Sequence, residues 1–97
     1  MAHGEYKMPG GKLVIVDFEI EDDRLRGVVL SGDFFLYPDD VLDDMTAALE
    51  SLPVSLSEAG IAGEVTAAIP AGASLMGVSP EGIAIAVRRA LQEAGQP

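Results

Sequence analysis

Apolar and polar side chains alternate from Val14 onward. Val14, Val16, Phe18 and Ile20 share one face of an extended segment, and Leu13, Ile15, Asp17 and Glu19 share the other. A period of two marks a half-buried strand. Glu21-Asp-Asp-Arg24 has the composition of a tight turn, with Asp23 where glycine would bend more easily, and Leu25 to Ser31 reads as the returning strand of a hairpin. Alternation leaves its register open, since either Val28 and Leu30 or Leu25 and Val29 point inward. Gly32 permits a bend before Asp33-Phe-Phe-Leu-Tyr37, a third extended segment rich in aromatics. The three strands are expected to form one antiparallel sheet.

Beyond Tyr37 the period lengthens. Pro38-Asp39-Asp40 suits a helix start, because proline fits the first turn and carboxylates there face the exposed amide dipoles. Val41, Met45, Ala48, Leu49 and Leu52 follow as an apolar stripe that Pro53 ends. Ser55 and Glu58 have capping-box spacing ahead of a second stripe at Ile61, Val65, Ala68 and Ile69, which Gly60 and Gly63 weaken. Ser79, Pro80 and Glu81 supply an N-cap, a first-turn proline and a first-turn acid for a third helix. Its buried face is Ile83, Ala86, Val87, Ala90, Leu91 and Ala94, with Ile85 among the polar positions. The expected architecture is α+β: three antiparallel strands, then three helices packed on one face of the sheet. At 97 residues, with no repeat or linker, the chain reads as one domain over 1–97, with 1–11 as a flexible lead-in.

Composition narrows the chemistry. The net charge is -10, and ten of the sixteen acids lie between Asp17 and Asp44, whereas both lysines, Lys7 and Lys12, stand before the first periodic strand. Nucleic-acid binding needs several phosphates neutralised by lysine or arginine, which six such residues on an acidic chain oppose. No apolar run approaches the roughly 20 residues of a membrane helix, and none resembles a signal peptide. With no cysteine, disulfides and thiolate chemistry are excluded, and a cytoplasmic location is expected.

Candidate motifs fail one by one. Lone His3 lies in the lead-in, and no serine, histidine and acid converge in the pattern, so a hydrolase triad has no support. Asp39 to Glu50 has the length of a calcium loop and ends in glutamate, but Val41 stands at a ligand position and Asp44 where glycine is required. Those acids are read as a solvated helix start, and no metal site is assigned. Gly10-Gly11-Lys12 is not a nucleotide-hydrolysing P-loop, because Tyr6 replaces the leading glycine, Leu13 replaces serine or threonine, and a strand follows instead of a helix. What remains is a basic glycine-rich tip whose free amides and ammonium groups suit an anion.

Tyr6-Lys-Met-Pro-Gly-Gly-Lys-Leu-Val14, the charged hairpin, and Ser31-Gly-Asp-Phe-Phe-Leu-Tyr-Pro38 in that order resemble the small accessory domain at the carboxyl end of lipoate-protein ligases. The likeness continues through Leu75-Met-Gly-Val-Ser-Pro80 and spans almost the whole chain. In that family a large domain similar to biotin ligases holds lipoate, ATP, magnesium and the catalytic lysine. The small domain is required for making lipoyl-adenylate, and in some organisms it is a separate polypeptide.

The resemblance therefore implies an accessory subunit of a two-component ligase, inactive alone and with no catalytic residue or cofactor of its own. Its partner would be the large catalytic subunit. Its indirect partners would be lipoyl-acceptor proteins: acyltransferase subunits of 2-oxoacid dehydrogenases or the glycine-cleavage carrier protein. No nucleic acid or membrane is implied. Tyr6, Lys7, Pro9, Gly10, Gly11 and Lys12 are the candidate contacts with the adenylate pocket or the partner. Gly32, Asp33, Phe34 and Phe35 carry the second signature, with one phenylalanine expected to anchor the fold and the other to face the partner. The competing class is a non-enzymatic binding module of the same fold serving an unrelated protein.

Overall fold

A computed structural model describes residues 1–96. The expected hairpin is present as β2 (Leu13–Glu21) and β3 (Arg24–Gly32), joined by a two-residue turn in which Asp22 and Asp23 both take positive φ, 53° and 60°. Such a turn matches the right-handed twist of the flanking strands, and aspartate tolerates the left-handed region better than most residues. Asp17 pairs with Val29 and Glu19 with Arg26, so one extra residue of β3 bulges opposite Phe18. Gly27, at φ 63°, supplies that bulge. The bulge resolves the register in a way simple alternation does not contain: Leu25, Val28 and Leu30 are all buried, and Val29 is exposed.

The third strand of this sheet is β1 (Ala2–Lys7), which pairs with β2 from Ala2 opposite Phe18 to Lys7 opposite Leu13. Residues 1–11 are therefore not a flexible lead-in. Alternation along β1 does exist, since Ala2, Gly4 and Met8 are buried, but two of these side chains are too small to register as an apolar pattern. Asp33–Tyr37 does not extend the sheet. Its last part, β4 (Phe35–Tyr37), pairs with β5 (Ser74–Met76) in a separate two-stranded ribbon. Strand β3 runs out at Gly32, where a Cβ would stand 2.1 Å from the Leu13 carbonyl oxygen, and the Asp33 amide donates to that same oxygen at 3.1 Å.

The helices are α1 (Val41–Leu49), α2 (Glu58–Ala68) and α3 (Pro80–Glu93). Val41, Met45 and Leu49 form the buried face of α1 as the stripe predicts, while Leu52 is buried in the loop beyond the helix end. The cap of α2 is Ser57 instead of Ser55: its hydroxyl accepts from the Gly60 amide at 3.1 Å. Leu56 lies just before that cap and packs over Gly60, where a Cβ would come within 2.6 Å of Leu56 Cδ1. This fixes the chain's approach to the helix two residues later than the serine spacing suggests. Ser79 caps α3 as expected, accepting from the Gly82 amide at 3.0 Å, with Pro80 as the first helical residue.

The helices bury the Val14, Val16 and Phe18 side of the sheet: α3 lies on β1 and β2, α1 on β3, and α2 joins α1 to α3. The fold is α+β with a three-stranded antiparallel sheet and three helices, but a short strand, β5, separates the second helix from the third. Among the described residues no helix is long and apolar enough to cross a membrane.

Two contacts set tolerances. A Cβ at Gly4 would stand 2.2 Å from the Ala86 carbonyl oxygen and 2.7 Å from the Ala90 nitrogen, so β1 and α3 approach backbone to backbone. Gly4→Ala is expected to destabilise the domain by roughly 1–3 kcal/mol through overpacking. That exceeds the roughly 0.4–1 kcal/mol gained by restricting the unfolded chain, and thermal unfolding measures the difference.

The second contact is at the bulge, whose freed Gly27 and Val28 amides donate to the two Glu50 carboxylate oxygens at 2.9 and 3.0 Å. Those bonds hold the Glu50 carboxyl below its ordinary value of 4.5, with a smaller contribution from Arg26. A depressed folded value means stabilisation present above the unfolded value and lost as pH falls through the folded one. Glu50→Gln is expected to cost about 1 kcal/mol at neutral pH, the lower side of charged hydrogen bonding because Glu50 is exposed. Denaturant titrations should show the gap closing below about pH 4.5.

Candidate functional site

The basic tip is a structured turn. Met8-Pro9-Gly10-Gly11 closes with the Gly11 amide donating to the Met8 carbonyl at 2.9 Å, and the Met8 amide donates to the Lys12 carbonyl at 2.7 Å. Pro9 presets the first central position and Gly10, at φ 95°, takes the second, which requires a residue free to adopt positive φ. Two contacts hold this hook, one with α3 and one with the loop that precedes it. Met8 is buried against α3, where a Cβ on Gly82 would come within 2.6 Å of the Met8 sulfur. The Lys12 stem crosses Gly77, where a Cβ would stand 2.8 Å from Lys12 Cγ.

Lys7, Pro9, Gly10, Gly11 and Lys12 are exposed, and among the described residues neither lysine forms an ion pair. Tyr6 is placed differently. Its half-buried ring lies beneath the Arg89 guanidinium, 5.0 Å from the ring centroid, and Arg89 also donates to the Glu5 carbonyl at 3.1 Å. This cation–π contact and hydrogen bond tie the outer edge of β1 to α3.

Beside the hook, Tyr6, Met8 and Pro9 face Val78, Glu81 and Ile85 across an open groove of about 420 Å³. Ile85, expected among polar positions, is half-buried there because β1 brings Tyr6 and Met8 alongside α3. Sequence reasoning missed this groove, since its walls come from residues some seventy positions apart. The alternation of Gly4, Tyr6 and Met8 was the signal that could have revealed the strand forming one wall.

The second signature lies at the same end. Gly32 pairs with Val14 and abuts the Leu13 carbonyl, directly beyond Lys12. Phe34 packs partly buried against the core and crosses Gly32, where a Cβ would come within 2.9 Å of Phe34 Cε2. Phe35 points out at 76% exposure. Asp33 is exposed, and its backbone amide carries the contact to Leu13. Phe35 stands opposite Met76, which precedes Gly77 and thus the Lys12 stem. The hook, Gly32-Asp-Phe-Phe35 and Leu75-Met-Gly-Val-Ser-Pro80 therefore form one continuous end of the domain.

His3 lies outside this end and is ordered. On the exposed face of the sheet its Nδ1 is 2.5 Å from Asp17 Oδ1 and its Nε2 2.7 Å from Glu5 Oε2. These bonds, Glu5 first and Asp17 second, raise its pKa from 6.5 to about 9. A raised folded value gives stabilisation that is complete below pH 6.5 and lost as pH rises through about 9. An NMR titration of the His3 ring should show its midpoint near 9, and the combined Glu5→Gln and Asp17→Asn changes should return it toward 6.5. A midpoint already near 6.5 in the unaltered protein would show that the two carboxylates do not hold the ring.

No family model matches the chain, and no curated protein matches it in sequence. Among solved structures it is similar to a chain from the structural analysis of an archaeal lipoylation system, a bi-partite lipoate protein ligase and its E2 lipoyl domain from Thermoplasma acidophilum. The two share 23% identity and superpose with a TM-score of 0.63 over 90% of this chain and 91% of that chain. At that identity the likeness is one of fold.

Proposed function

We propose that this chain is the accessory subunit of a two-component lipoate-protein ligase, working in the cytoplasm with a separate catalytic large subunit. The pair would convert lipoate and ATP to lipoyl-adenylate before transfer to lysines of acceptor proteins. The observation that carries this reading is the fold shared with a chain of a bi-partite ligase system over nine-tenths of both chains. The two sequence signatures point to the same system, and they meet at one end of the molecule.

The chemistry fits the hook. In adenylation a lipoate carboxylate oxygen attacks the α-phosphorus of ATP and pyrophosphate leaves, so negative charge shifts along the phosphates. Cations held at fixed positions and exclusion of water both lower that barrier. ATP, magnesium and lipoate belong to the partner's pocket. This chain contributes the Lys7 and Lys12 ammonium groups on a turn whose backbone is set by Pro9 and Gly10 and anchored by Met8. Exposed surface pairing with acids, the bland alternative for these lysines, is not what the described residues make.

Mixing the chain with the large ligase subunit of the same organism should give a stable heterodimer and lipoate-dependent ATP–pyrophosphate exchange that neither polypeptide shows alone. Lys7→Ala and Lys12→Ala are each expected to slow exchange roughly tenfold with the heterodimer intact, less than a fully enclosed charge-stabilising donor because both are exposed. Unchanged exchange in both variants would remove the hook from the nucleotide. Absence of any heterodimer would favour a binding module for another protein.

A further inference from the structure

Strands β4 and β5 are each only three residues long, and a two-stranded ribbon of that size does not hold its shape alone in water. Here it is fixed from behind: Leu36 and Leu75, opposite each other in the ribbon, pack against the core. Alternation then turns Phe35, Tyr37 and Met76 outward, at 76%, 71% and 66% exposure. Three large apolar side chains side by side on an anchored backbone are unusual for a surface with no occupant. Val29 is also exposed, but it belongs to β3 of the three-stranded sheet and not to the ribbon.

We propose, on the basis of the subunit role above, that this ribbon face seats the catalytic large subunit through an apolar hollow bordered by lysine or arginine. Aromatic residues and methionine are the types enriched at the centres of protein interfaces. Because Leu36 and Leu75 already hold the backbone, little ordering cost falls on association.

Charge specifies the border. Asp33 precedes the ribbon, Asp39 and Asp40 follow Pro38, all three are exposed, and none forms an ion pair among the described residues. A partner surface complementary to them is cationic, which also speeds encounter with a chain of net charge -10. Continuity supplies the last step. Met76 leads into Gly77, over which the Lys12 stem lies, so a subunit seated on the ribbon has the hook at its edge.

The test measures affinity for the large subunit separately from exchange rate. Phe35→Asp and Met76→Asp should each weaken Kd about tenfold or more, as loss of a central apolar anchor does, with thermal unfolding unchanged. Exchange should recover when either variant is added in excess, because the hook is intact. Phe34→Ala, which alters the inward phenylalanine, should lower thermal stability and leave the affinity of the folded protein near its original value. Raising salt from roughly 0.1 to 0.5 M should slow association, and Asp39→Asn with Asp40→Asn should flatten that dependence.

If the unaltered chain binds and both aspartate variants bind equally well, the ribbon is not the seat, although the subunit role stands. If the unaltered chain does not bind the large subunit, the subunit role falls and this inference with it. Sedimentation that shows a dimer of the chain alone, abolished by Phe35→Asp, would make a second copy the occupant and overturn the proposal.

Discussion

The spacing between β1 and α3 is set by small residues, and the candidate site inherits its geometry from that spacing. Gly4 has room for no side chain between itself and the Ala86 carbonyl, and Ala90 closes the same contact. Two residues along the strand, Tyr6 meets Arg89, and two further on, Met8 fills the space left by the missing side chain of Gly82. A period-two strand thus meshes with a helix at three points. Small faces small at Gly4, and large faces small at Met8, which is how tightly packed layers avoid both voids and clashes. Without that seating, β1 would be an unsupported edge strand and the hook would be the loose loop that its glycines suggest.

Where side-chain size carries the fold, hydrophobic periodicity reads it well. The β2 and β3 hairpin, the α1 stripe and the Ser79-Pro80 start of α3 were all legible, because Val14, Val16, Phe18, Met45, Leu49 and Ile83 are large and buried. Where the fold depends on the absence of a side chain, the pattern is silent. Ala2 and Gly4 hide β1, and Gly27 hides the bulge that changes the phase of β3. Gly60 moves the α2 cap from Ser55 to Ser57 by admitting Leu56.

The pairing of β4 with β5 was illegible for a different reason. Three-residue strands are too short to show a period, and their contact spans about forty residues of chain. The site divides in the same way. The basic Gly10-Gly11-Lys12 tip was readable locally, as was a split between the two phenylalanines without saying which turns inward, but the strand and closed turn that carry the tip were not. The groove beneath the hook and the contact of Lys12 with Gly77 exist only after the chain has folded.

On the proposed role, electrostatics would give a division into two polypeptides a physical sense. A chain of net charge -10 repels a nucleotide at long range, and two lysines on one tip do not reverse that field. At physiological ionic strength the field of exposed charges decays over about 8 Å, so the ammonium groups act only on a phosphate brought within that distance. On that role the hook alone would be a poor anion trap, and its fixed backbone would become useful only once a partner supplies the position. Anchoring of the ribbon by Leu36 and Leu75 and of the hook by Met8 and Gly82 places an apolar patch and a cationic point on one rigid body. On the proposed role, association is driven by the patch and its acidic border, and the nucleotide meets the lysines only inside the assembled pair. Adenylate formation would then depend on assembly without any residue of this chain taking part in bond making or breaking.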